Sequence, residues 1–143
     1  MLKQLVVISG LLLMAACAPP AASTAAITIE NARIMEPPPG ATTAAAYFTL
    51  RNDGPADQLA GASSPVAASA MLHETRNEAG MMSMHHMEGI DLPAGGVIEF
   101  APGGRHIMLT GLTQPLVAGG LHPITFTFVH GEPITVNFPV KAP

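Results

Sequence analysis

The chain has 143 residues, of which 48% are hydrophobic and only 11% charged, with six basic against ten acidic side chains and a formal net charge of −4. That length leaves room for one domain rather than two large ones, and a single cysteine rules out a disulfide scaffold. So few basic groups leave no electrostatic footprint for nucleic acid. Against this sparse background stand nine methionines and six histidines, in a chain with no Trp and one Tyr.

Residues 1–4 carry one lysine, and residues 5–16 form an apolar run broken only by Ser9 and Gly10. The run is too short to span a bilayer core of ~30 Å and reads as the core of a signal peptide. It ends in Leu13-Met14-Ala15-Ala16-Cys17, where small residues before a cysteine resemble the bacterial lipobox, although Met14 stands where that motif usually has Leu. The expected organisation is a lipoprotein-type signal peptide over 1–16, an Ala/Pro-rich tether over 17–26, and a folded domain over 27–143. Cys17 is then the lipidation site, and an acylated cysteine offers no thiol for metal or catalysis. The body is left cysteine-free, as suits an oxidising compartment. Removing residues 1–16 takes away Lys3 alone among the charges, leaving five basic and ten acidic side chains, a net of about −5.

From Ile27 onward the pattern is short strands separated by Gly/Pro turns, with no amphipathic helical period. A strand over Ile27–Met35 ends at Pro37-Pro38-Pro39-Gly40, and another over 44–51 ends at Asn52-Asp53-Gly54-Pro55. Strands over 68–76 and 80–88 follow, then short ones over 97–100 and 105–109. The clearest alternation is Ile124, Phe126 and Phe128, then Ile134, Val136, Phe138 and Val140, which puts these side chains toward the core. Many short strands without crossover helices imply an all-β antiparallel sandwich or small barrel.

Six methionines and four histidines crowd into the 38 residues from Met71 to Met108, while the other 89 residues after position 16 hold one Met and two His. Flexible core fillers would be scattered more evenly. In His106-Ile107-Met108 the first and third side chains share one strand face, while Ile107 and Leu109 face the core. His73 shares its face with Met71. The run Met81-Met82-Ser83-Met84-His85-His86-Met87 cannot all be packing, because adjacent strand residues point opposite ways. Imidazoles with thioethers describe a soft site: thioether favours Cu(I), structural zinc would use Cys, His or carboxylate, and calcium would need clustered carboxylates. A blue-copper centre would need a thiolate, and the body has none.

The spacing then becomes specific. From His73 there are ten residues to Met84, twenty-one more to His106 and one to Met108. This His-x10-Met-x21-His-x-Met pattern resembles that of the PCu(A)C family of periplasmic copper chaperones. The phrases Leu72-His73-Glu74-Thr75, Leu92-Pro93-Ala94-Gly95-Gly96 and Pro102-Gly103-Gly104-Arg105-His106-Ile107-Met108-Leu109 are also similar to the family, and the likeness runs from about Ile27 to Val140.

The resemblance implies a cupredoxin-like Greek-key β-sandwich holding one Cu(I), with His73, Met84, His106 and Met108 as ligands and no enzymatic activity. It implies delivery to the copper-site subunit of a respiratory oxidase, alongside a thioredoxin-like copper chaperone, by a monomer in the periplasm. Outer-membrane tethering would follow if Cys17 is lipidated. Two features depart from the family. The chain as given ends Val140-Lys141-Ala142-Pro143, without a Met/His-rich tail for extra Cu(II) capacity, and His85 and His86 lie outside the family ligand pattern. Those two histidines are either auxiliary ligands, for weaker Cu(II) capture or transfer, or solvated side chains; Glu74 and Arg105 read either as charges that steer docking or as solubilising charges.

The alternatives are an envelope copper buffer and a metal-free protein-binding β-sandwich. A hydrolase has no support: there is no G-x-S-x-G, and Ser83 lacks an evident carboxylate-oriented base.

Overall fold

A computed structural model describes residues 26–143. The expected signal peptide, the expected lipidation site Cys17 and most of the expected tether lie outside the described residues. Ten strands follow in chain order: β1 (Ile27–Met35), β2 (Thr43–Asn52), β3 (Asp57–Ser63), β4 (Ala67–Glu78), β5 (Met81–Met87), β6 (Ile90–Leu92), β7 (Val97–Phe100), β8 (Arg105–Leu112), β9 (Leu121–Phe128) and β10 (Ile134–Lys141). Hydrogen bonding runs in the order β4-β8-β2-β1-β10-β9-β3, and an additional β3–β4 pairing at Ala62 and Ala70 closes the ring. The two sheets of the expected sandwich are therefore joined into a seven-stranded barrel. Closure removes free edges from those strands. Three strands hang on it: β5 on the outer side of β4, β6 on β3, and β7 on the end of β2.

The strands coincide with the alternating segments of the sequence, with two additions and one exception to antiparallel pairing. β3 and β6 are additional strands, and β1 runs parallel to β10 through Ile34–Val140 and Met35–Lys141. Four of the five core phenylalanines, one from each of four strands, meet ring to ring. Phe48 stacks on Phe100 with ring centres 4.1 Å apart and meets Phe126 at 4.9 Å and Phe138 at 5.8 Å. Such pairs add roughly 0.5–1.5 kcal/mol each beyond the area they bury. Ile124, Val140, Leu50 and Ile34 fill the same layer, all essentially inaccessible.

The turn after β2 is fastened by Asn52, a buried polar side chain. Its amide donates to the carbonyls of Pro55 (2.8 Å), Leu92 (3.3 Å) and Pro93 (3.2 Å), and its Oδ1 accepts from the Gly54 N–H (3.0 Å). The Asn-Asp-Gly-Pro turn is thus also the anchor of the β6–β7 connection.

Candidate metal centre

The centre is built on β5, β4 and β8, which lie side by side. Register aligns Met71 with Met108 and His73 with His106 between β4 and β8, and His73 with His86 and Thr75 with Met84 between β4 and β5. Strand alternation sends Leu72 and Ile107 into the core, 2% and 0% exposed, and so turns His73, His106 and Met108 to the outer face. Met84 and His86, two apart on β5, share that face. The expectation for His106-Ile107-Met108 holds in detail: Ile107 and Leu109 are both fully buried behind the pair.

Three imidazoles form a row across the strands. The His73 ring centre lies 5.7 Å from that of His106 on one side and 5.7 Å from that of His86 on the other. His106 is only 4% exposed, with the Tyr47 ring 6.3 Å away and its Nδ1 3.4 Å from the Gly104 carbonyl. His73 Nδ1 is buried without a hydrogen-bond partner among the described residues. Burial, then the neighbouring charges of His106 and His86, hold the His73 pKa below the usual histidine value. A neutral imidazole with an unsatisfied nitrogen is the form a metal ion binds. Met108 and Met71 are half-buried beside it, whereas Met84 is 60% exposed, as are Met82 (62%) and Met81 (74%) toward the hairpin tip.

The structure separates the two adjacent histidines. His86 joins the row, but His85 faces the other way, with Nε2 3.0 Å from Ser83 Oγ and 3.2 Å from Glu78 Oε1. Glu74 lies opposite His85 and pairs with Arg76 (2.6 Å) and Arg105 (3.4 Å), so these charges compensate one another beside the row. His122 and His130 belong elsewhere, near Gln114 and Asp57. Sequence reasoning did not find Met71 beside Met108 or Tyr47 beside His106. Cross-strand register carries both, and spacing along one chain cannot supply it. Among the described residues, no group of three or more His, Cys, Asp or Glu is arranged to hold a metal. The donors gathered on this face are imidazole nitrogens and thioether sulfurs, a set that suits a soft monovalent ion.

Comparison with known proteins agrees with this architecture. The family model described as "Putative lipoprotein LpqE-like" matches residues 27–140. "Putative lipoprotein Lxx21020" of Leifsonia xyli subsp. xyli is 40% identical over 98 residues, covering 67% of this chain and 59% of that protein. "Uncharacterized protein RP573" of Rickettsia prowazekii is 35% identical over 96 residues, 66% of this chain and 53% of that one. The chain thus spans between half and three-fifths of the length of these relatives.

Among solved structures, the copper-bound PCuAC domain from PmoF2 superposes with a TM-score of 0.71 at 27% identity, over 82% of this chain and 94% of that one. The Cu(I) form of DR1885 from Deinococcus radiodurans gives 0.66 at 34% identity, over 85% and 83%. The chain belongs to the LpqE-like family, and its body is a PCuAC domain.

Proposed function

We propose that this protein is an extracytoplasmic lipoprotein that carries one Cu(I) as cargo, held by His73, Met84, His106 and Met108. The juxtaposition that carries the reading is His73 against His106 across β4 and β8, with Met108 on the same face and a buried, unpartnered His73 Nδ1. Imidazole nitrogen binds a metal at about 2 Å, which puts the ring centre roughly 3.1 Å from the ion. Two rings 5.7 Å apart can therefore flank a single ion without moving the backbone. His106 and Met108 are rigid, seated on the core by Ile107 and Leu109. Met84 sits on an exposed strand and completes the set from the solvent side. The copper-bound and Cu(I) states of the PCuAC domain from PmoF2 and of DR1885 support copper as the ion, and the lipoprotein relatives support attachment outside the cytoplasm.

Transfer would proceed by associative exchange. The partner's ligands approach from the Met84 side, Met84 releases first, and the buried His106 last, so copper is never free. The respiratory-oxidase copper subunit, with a thioredoxin-like intermediary, is the proposed acceptor. Anaerobic titration against a chromogenic Cu(I) chelator should reach one tight Cu(I) per chain. His106→Ala with Met108→Ala should lower the affinity at least a hundredfold. Tight retention by that double variant rejects the ligand assignment. Loss of oxidase assembly in a deletion strain, rather than loss of copper tolerance, separates delivery from buffering.

A further inference from the structure

His86 has no place in the four-ligand set, yet its ring centre is as close to His73 as that of His106, 5.7 Å in each case. The two neighbours of His73 differ in setting. His106 is 4% exposed, with Tyr47 beside it and a methionine two residues on. His86 is exposed on edge strand β5, whose outer side pairs with no other strand among the described residues. Cu(I) accepts thioether and few ligands, so it fits the enclosed His73/His106/Met108 side. Cu(II) prefers nitrogen and oxygen donors in a tetragonal arrangement, and it needs room for water. The His86 side of His73 offers a second imidazole together with open access to water.

We propose that His73 and His86 form a bis-imidazole position for Cu(II), which shares His73 with the Cu(I) site and so excludes Cu(I) from the same chain. The proposal rests on the copper reading above, because His73 is common to both. His73 is thus a pivot, with a soft, closed position on its β8 side and a harder, open one on its β5 side. His85, one residue away, takes no part, because it faces Ser83 and Glu78 on the other side of the hairpin.

The test uses the full chain in detergent, aqueous Cu(II) sulfate, and Cu(I) presented in a chromogenic chelator. His86→Ala should weaken Cu(II) binding at least tenfold and reduce the nitrogen hyperfine pattern of its electron paramagnetic resonance spectrum from two imidazoles to one. Cu(I) affinity should change less than twofold. His86→Gln should behave as His86→Ala, and His85→Ala as the unchanged protein. Protein preloaded with one Cu(I) under anaerobic conditions should show no bis-imidazole Cu(II) signal. An unchanged Cu(II) spectrum and affinity in His86→Ala overturns the proposal, and so does simultaneous binding of both ions. Failure of the unaltered protein to bind Cu(I) would reject the carrier reading instead, and His86→Ala would still report on the Cu(II) position.

Discussion

Asp57 shows how one carboxylate holds the end of the barrel away from the metal row. It opens β3, and its oxygens accept the backbone N–H groups of Gln58 (2.7 Å), His130 (3.0 Å) and Gly131 (2.8 Å), so the β9–β10 turn is tied to β3. Burial acts to raise its pKa, but those three hydrogen bonds and the charge of His130 outweigh it and leave the value below that of a free aspartate. A carboxyl whose pKa is depressed by folding stabilises the folded state above its unfolded pKa of about 3.9, and that contribution is lost as pH falls through the folded value. Asp57→Asn should therefore lower Tm at pH 7, and the gap from the unaltered chain should narrow as pH drops below about 4. Thermal melts across pH 3–7 provide the measurement. A gap that stays constant over that range would mean that the carboxylate charge contributes nothing. The amide oxygen could still accept the two hydrogen bonds made to Oδ1, so only the charge-dependent part closes.

At the scale of the element, the β4–β5 hairpin is what distinguishes this barrel from a plain closed sheet. Its strands pair from Leu72–Met87 to Glu78–Met81, leaving Ala79 and Gly80 as a two-residue loop with φ of 53° and 84°. Positive φ at both central residues is the turn whose twist matches paired strands, and it favours Asn or Asp before Gly. Alanine is an unfavourable first residue there, because its Cβ crowds the carbonyl. Ala79→Asn should accordingly stabilise the protein by about 0.5–1 kcal/mol, read as a raised Tm with Cu(I) stoichiometry unchanged; a lowered Tm would contradict the turn assignment. The hairpin was legible because Asn77-Glu78-Ala79-Gly80 interrupts two apolar-rich runs. β3 was not: in Asp57-Gln58-Leu59-Ala60-Gly61-Ala62-Ser63 only Leu59 is a large apolar side chain, and its main partners on β9 and β6 lie far away in sequence. Small residues suit that strand because it closes the barrel between two neighbours. A weak alternation is the consequence.

For the whole molecule, the site is a matter of register between strands that are distant in the chain. The sequence placed His106 and Met108 on one face and named the spaced quartet. It could not place His86 beside His73 and His85 on the far side, since that depends on which residues of β4 and β5 sit opposite each other. The same register has a mechanical consequence. Among the described residues β5 is an edge strand held by β4 alone, whereas β4 and β8 are both built into the closed ring. An ion gripped by Met84 on one side and by His73, His106 and Met108 on the other would cross-link the loose strand to the ring, raising the cost of opening it locally without changing the rest of the barrel. Hydrogen exchange should therefore slow by tenfold or more for the backbone amides of Met81–Met87 on Cu(I) binding, while those of β9 stay within twofold. Met84→Ala should retain weaker Cu(I) binding through the other three ligands but lose the protection of β5. Protection of β5 that survives in Met84→Ala would assign the cross-link to another side chain of that strand. His86, two residues away on the same strand face, is the first to test, and protection through it would count against its assignment to a separate Cu(II) position.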